Sequence, residues 1–338
     1  MAAVVGIEHP RRPGEYLALV LAVAACYYGA GRLGLLLELS VEGAVVTPIY
    51  PPTGVAVAAL LVFGLGCWPG ITLGAFLVVL SLTTPGLDVL ALLVGHTAAP
   101  VCAVLLLRRA RFRTDLRRLR DGVALVFLAA FTAMLISATL GTGLLVLTDK
   151  LAPQGFWAVW LAWWVGDAMG VLIVTPLLLL LRGARWPPPM ARWKEATALA
   201  VAACLLVPLA AYSSVSMLFL VYPLIIWAAL RFELVGSVLV ALLTSVLATI
   251  AATDRAGAFT GLSRIGVMLE LQAFNGAMAL TALLLSAVIT EQRNTRRSVE
   301  KACQELVEVL EHLTAGDSPP PRPYPGPADA DERSGRDP

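Results

Sequence analysis

The stretch "WWVGDAMGVLIVTP", Trp163 to Pro176, carries one carboxylate, Asp167, in an otherwise apolar run that leucines extend to Leu181. The run is too long for a strand. As a helix it is long enough to cross about 30 Å of hydrocarbon at a rise of about 1.5 Å per residue. An acid at that depth costs about 2.5–3.5 kcal/mol on insertion scales, so it has to face a bundle interior or water. What Asp167 does therefore depends on what surrounds this segment.

The surroundings are apolar too. The chain has 338 residues, 58% of them hydrophobic and only 14% charged. Apolar segments recur at about 16–37, 50–65, 68–82, 87–107, 121–147, 156–181, 195–212, 215–231, 235–252 and 266–290. This pattern predicts an all-α, polytopic integral-membrane helical bundle of eight to ten transmembrane segments. The count is open because 50–65 and 68–82 are short and joined by "GLGCWPG" (Gly64–Gly70), so they read either as two spans or as a re-entrant pair. Short alternating strands are absent, which argues against a barrel.

Arginine and lysine set the expected orientation. Arg11 and Arg12, the loop "RRARFRTDLRRLR" (Arg108–Arg120), the group Arg182, Arg185, Arg192 and Lys194, and the group Arg293, Arg296, Arg297 and Lys301 all fall on one side in a ten-span count. The opposite loops hold Glu38, Glu42, Asp88, Asp149 and Asp254, with Lys150, Arg255 and Arg264 as their basic residues. The positive-inside rule then places both termini in the cytoplasm of a bacterial inner membrane. Arg11-Arg12 followed by an apolar run and "VAAC" (Val23–Cys26) has the look of a lipoprotein signal, but the run continues past Cys26, as expected of an uncleaved first helix.

The chain divides by composition into an N-terminal segment (1–14), a membrane bundle (15–290), a polar helix (291–314) and a Pro-rich tail (315–338). In the helix, Val299, Cys303, Leu306, Leu310 and Leu313 follow the a/d spacing of a coiled coil, which predicts a homodimer through 299–313. The tail is expected to be disordered, since its proline and charge leave little to bury. The residues after the bundle leave no room for a kinase or cyclase domain, so any output is expected in trans.

Several other residues invite a functional reading, each beside a structural one. Asp167 is a ligand contact or proton relay, or else a polar tie between helices. Gly166 and Gly170 beside it permit close helix approach, and Thr175-Pro176 loosens the helix beyond them. Arg231 is a site residue or a snorkelling arginine that Glu233 can pair with. Pro51 and Pro52 force an extended entry to the helix that follows, with Thr53 as its expected N-cap and its N–H groups suited to an anionic or carbonyl ligand. His96 is a titrating group or a hydrogen-bonded core residue. Glu270, Gln272 and Asn275 join helices or line a cavity. Trp157, Trp160, Trp163 and Trp164 are read as an interfacial belt.

Other chemistry finds little support. Five cysteines (Cys26, Cys67, Cys102, Cys204, Cys303) and three histidines show no metal-ligand spacing, so neither metal nor cofactor is expected. "GAGRLG" (Gly29–Gly34) lies in a span with no strand before it and is not a nucleotide loop. Nucleic acid is not an expected partner; the lipid bilayer is.

Four stretches in their order, "YPPTGVAVAALLVFGLGCWPGITLGAFL", "WWVGDAMGVLIVTPLLL", "WAALRFELVGSVLVALL" and "LQAFNGAMALTALLLSAVITEQR", resemble the membrane-associated sensor domain, type one, across roughly 15–295. The resemblance implies a non-enzymatic bacterial input module, usually followed by a histidine kinase or diguanylate cyclase. It points to Pro51, Pro52, Gly54, Trp68, Pro69, Gly74, Trp164, Gly166, Asp167, Gly170, Pro176 and Arg231. Tyr50 departs from the family pattern, which has Trp there. The rival readings are a small-solute transporter or channel subunit and, behind it, a membrane enzyme acting on lipid or isoprenoid through Asp167 and Arg231.

Overall fold

The computed structural model describes residues 13–36, 38–82, 88–116, 118–183, 192–213 and 217–316. The expectations for Arg11, Arg12, Arg117 and Arg185, for most of 1–14, for the tail from 317 and for the side chain of Leu313 lie outside the described residues. The chain forms two compact units, Met1–Glu291 and Gln292–Pro338.

The first unit is a polytopic all-α membrane bundle. It opens with α1 (Pro13–Leu35), a short antiparallel hairpin of β1 (Leu39–Val41) and β2 (Ala44–Val46), α2 (Pro51–Phe63), α3 (Trp68–Leu80) and α4 (Asp88–Arg109). Next come α5 (Leu119–Ala124) and α6 (Met134–Leu147), joined by a π-helical stretch over Leu125–Ala133, and then α7 (Phe156–Met169) and α8 (Thr175–Gly183), joined by a π-helical turn over Gly170–Val174. Last are α9 (Trp193–Tyr212), α10 (Val221–Thr253) and α11 (Arg264–Gly316). Among the described residues, seven helical stretches are long and apolar enough to cross a membrane, and Pro51–Phe63 and Leu65–Leu80 are shorter apolar helices.

Two of the ten segments read from the sequence fall within α10. Glu233 interrupts that helix with φ 55° and ψ −140°, a backbone state that an L residue rarely adopts. The two legs on either side match the apolar runs 215–231 and 235–252.

The short helices α2 and α3 sit beside α1. α3 runs parallel to α1, because Gly70 and Gly74 of α3 abut Val20, Ala24 and Tyr27, and Val78 further along abuts Gly31. α2 runs the other way. Its first residue, Pro51, packs on Gly34, and just past its far end the Gly66 carbonyl accepts a hydrogen bond from the Tyr16 hydroxyl at 3.0 Å. Ala56, Val57 and Leu60 of α2 have no exposed surface, so this face of α2 is packed in protein, while Phe63 at its far end is 41% exposed. At about 20 Å by helical rise, α2 is too short to cover the hydrocarbon alone.

Val41, Ala44 and Val46 are buried with Leu151, Val159, Ala162 and Met268, so the hairpin is wedged among helix ends. From β2 the chain bends at Pro48 and Ile49 and reaches Tyr50 with φ −108° and ψ 88°, outside the α region that Pro51 disfavours for the residue before it. Irregular backbone at this depth is tolerated because α7 covers it.

In the second unit, Val299, Leu306 and Leu310 are all more than half exposed and Cys303 is exposed. The polar flank carries the ion pairs Arg296–Glu300 at 2.8 Å and Lys301–Glu305 at 3.6 Å, each one helical turn apart.

Candidate functional site

The site forms where the irregular segment from Thr47 to Tyr50 lies against α7. The Tyr50 N–H donates to the Gly166 carbonyl at 2.9 Å. A β-carbon on Gly166 would collide with the Thr47 carbonyl oxygen, and one on Gly170 with that of Tyr50. Gly54 in turn lies against the Gly170 carbonyl. Glycine at these positions lets main chain touch main chain across the α2–α7 junction, so the small-residue spacing around Asp167 serves an irregular segment as well as a helix.

This packing brings Asp167 to the first turn of α2. Thr53 does not cap that helix: the N-cap is Tyr50 and the helix begins at Pro51. Pro51 and Pro52 have no N–H to offer, and the Thr53 N–H turns back to the Tyr50 carbonyl at 3.3 Å. The row of free amides expected at this helix start is therefore largely missing. The Thr53 hydroxyl takes over, lying 2.8 Å from Asp167 Oδ1 and 3.1 Å from the Tyr50 carbonyl oxygen, with one proton to give to either. The positive end of the α2 dipole adds about 0.3–1 kcal/mol, and up to about 2 in a partly buried setting. A hydrogen bond to a charged group adds about 1.5–3 kcal/mol. Together these match the cost of placing a carboxylate at this depth.

The match is incomplete at one atom. Asp167 is 1% exposed, and its Oδ2 has no accessible surface and no hydrogen-bond partner. Ser137 of α6 lies beside the same carboxylate. Next to it is a cavity of about 110 Å³, whose lining includes Tyr50, His96, Trp163 and Asp167. Leu35, Val45, Leu82 and Leu92 form its rim at the hairpin end, and Val45 and Leu82 are about half exposed. The Tyr50 and His96 rings are 5.7 Å apart, and those of His96 and Trp163 6.1 Å apart. Buried Tyr27 of α1 reaches the Tyr50 hydroxyl from behind. On the other side, the Thr175 hydroxyl donates to the Gly54 carbonyl at 3.1 Å.

The structure thus gathers Thr53, Gly54, His96, Gly166, Asp167 and Gly170, with Pro51 and Pro52 packed on Gly34 and Gly31 of α1. The other predicted residues lie elsewhere. Trp68 and Pro69 begin α3 at the opposite end of the bundle, and Trp68 is half exposed. Arg231 pairs with Glu195 at 3.4 Å, a partner on α9 that the sequence reading did not name. Asn275 is fully buried between α10 and α11, where its Oδ1 accepts from the Ser245 hydroxyl at 2.9 Å. Trp164 turns away from Asp167: its Nε1 donates at 2.9 Å to the carbonyl of Phe131, in the π-helical stretch, and its ring stacks on Trp160. The tryptophans are not a uniform belt. Trp157 is 71% exposed, whereas Trp163 covers Gly141 and lines the cavity. Ser137, Tyr27 and Thr47 carried no sequence signal that marked them.

The family model for membrane-associated sensor domain 1, MASE1, matches residues 19–293. The chain belongs to the MASE1 family. No curated protein and no solved structure gives a significant match. The matched range holds the whole membrane bundle, so the Asp167 site lies at the heart of the MASE1 domain. A membrane sensory input domain is the role this family supplies.

Proposed function

We propose that this MASE1 domain receives a small ligand in the cavity beside Asp167 and reports its occupancy to a kinase, a cyclase or another regulator on a separate chain. It catalyses no reaction itself. It sits in a bacterial inner membrane with both termini in the cytoplasm, a reading supported by the one-sided distribution of Arg and Lys. Two copies pair through 299–313, supported by the exposed seam of Val299, Cys303, Leu306 and Leu310. The observation that carries the reading is the buried carboxylate of Asp167, with one oxygen unpartnered, at the wall of a cavity. A group needed only to join helices is normally satisfied by the neighbours it joins.

The test is capture of the full chain from native membranes, followed by assay of whatever regulator co-purifies, with wild type and Asp167→Asn compared. A regulator whose activity changes with the variant, at equal melting temperature, supports the reading; unchanged activity in a stably folded variant defeats it. The start of α2 inside the bundle is also what a solute transporter would use. Solute flux in proteoliposomes would move the assignment to that class.

A further inference from the structure

The cavity has a definite chemistry. Among the described residues its one charged side chain is a carboxylate, no lysine or arginine lines it, and its polar wall is made of the rings of Tyr50, His96 and Trp163. The rest of the lining, apart from Thr47, is aliphatic. An anion meets only the neutral donors of Thr47, Tyr50, His96 and Trp163 there, beside a carboxylate that repels it. A bare metal ion finds too few ligands: among the described residues no group of three His, Cys, Asp or Glu side chains is placed to hold one. Aromatic faces beside a desolvated carboxylate attract a cation that carries its own apolar surface.

Asp167 has the capacity to receive it. Oδ1 already accepts from Thr53, while Oδ2 has no partner at hydrogen-bond geometry, although the Ser137 hydroxyl lies beside the carboxylate. The terminal torsion of an aspartate is soft, so a small rotation presents Oδ2 to a guest in the cavity. Buried carboxylate oxygens are expensive to leave unpaired, and a cationic guest would remove that cost. The volume of about 110 Å³ is of the order of cavities that take up a benzene-sized guest.

We propose that this cavity binds a small organic cation, an alkylammonium group of about that bulk, held between the Asp167 carboxylate and the rings of Tyr50, His96 and Trp163. The proposal rests on the sensory reading for its consequence, since cation occupancy is then the state that is reported. The binding itself can be tested alone.

The full chain in nanodiscs is titrated calorimetrically with choline, tetramethylammonium and n-butylammonium. The control is 3,3-dimethylbutanol, the uncharged carbon isostere of choline. At least one cation should bind, and the isostere at least about tenfold more weakly, the factor that 1.4 kcal/mol of charge recognition confers. Asp167→Asn should abolish the preference for charge. To keep the test independent of that variant's folding, Leu82→Trp serves as a second one: it narrows the mouth at an exposed rim position and should weaken cation binding without lowering the melting temperature. The proposal is overturned if no cation binds to the folded wild type at millimolar concentration, if the isostere binds as well as choline, or if folded Asp167→Asn or Leu82→Trp binds as wild type does. Cation binding that leaves a captured regulator unchanged would count against the sensory role and leave the site standing. A regulator responding to another stimulus, with no cation bound, would do the reverse.

Discussion

Where α1 to α8 meet, backbone touches backbone; where α9 to α11 meet, hydroxyls and amides do much of the joining. In the first region Gly31, Gly34, Gly54, Gly70, Gly74, Gly166 and Gly170 each leave room that a neighbouring helix or irregular segment fills. In the second, the Ser237 and Ser286 hydroxyls lie 2.6 Å apart and Ser245 donates to Asn275, while Gln272 of α11 links the two regions through the Ala162 carbonyl of α7 at 3.4 Å. The two devices differ in tolerance. The contacts at Gly54, Gly70, Gly166 and Gly170 admit one geometry, because the opposing atom is main chain and cannot swing aside. A hydroxyl pair inside a membrane protein contributes about 0.6 kcal/mol on average, since the separated helices find other partners. The Asp167 cavity is built in the unforgiving region.

The largest expected effect breaks that contrast most directly. Gly170→Ala drives a β-carbon into the Tyr50 carbonyl, whereas a β-carbon on Gly276 of α11 meets nothing within 4 Å. Gly170→Ala should lose more than about 4 kcal/mol, or fail to fold, while Gly276→Ala melts as wild type does. Equal melting of the two in detergent would end the distinction. Next comes Thr53→Val, which keeps the shape and removes the donor to Asp167; it should cost about 1–3 kcal/mol, and Thr53→Ser should recover most of that in chemical denaturation. A double-mutant cycle on Ser237→Ala and Ser286→Ala should give a coupling near 0.6 kcal/mol. A coupling above about 2 kcal/mol would place this pair in the rigid class. Smallest of all, Arg296→Ala removes an ion pair whose side chains are 82% and 57% exposed, and no resolvable shift in melting temperature is expected.

The membrane bundle was legible because hydrocarbon thickness imposes segment length, and most of the apolar runs carry that length directly in composition. Gly166 and Gly170 were legible as close-approach positions, but what approaches them was not. The partner is an irregular segment, Thr47 to Tyr50, far away in sequence, and periodicity describes only a segment's own conformation. For the same reason Thr53 reads locally as a cap, yet the prolines start the helix two residues earlier and release its hydroxyl to a tertiary acceptor. The π-helical stretches at Leu125–Ala133 and Gly170–Val174 escaped notice because each changes the hydrogen-bond register without changing the apolar pattern. Arg231 looked to the nearest acid in sequence, Glu233, and its pair with Glu195 depends on α9 lying alongside.

The hydrogen bond from Tyr50 to Gly166 also sets a clock on biogenesis. The segment that leads into α2 reaches the membrane early in translation, but the carbonyl it needs belongs to α7. At about 5–20 residues per second, the two are separated by on the order of ten seconds of synthesis. Through that interval the α2 segment has no permanent place in the bilayer. The insertion machinery, or α1 acting as an escort, must hold it until Gly166 emerges.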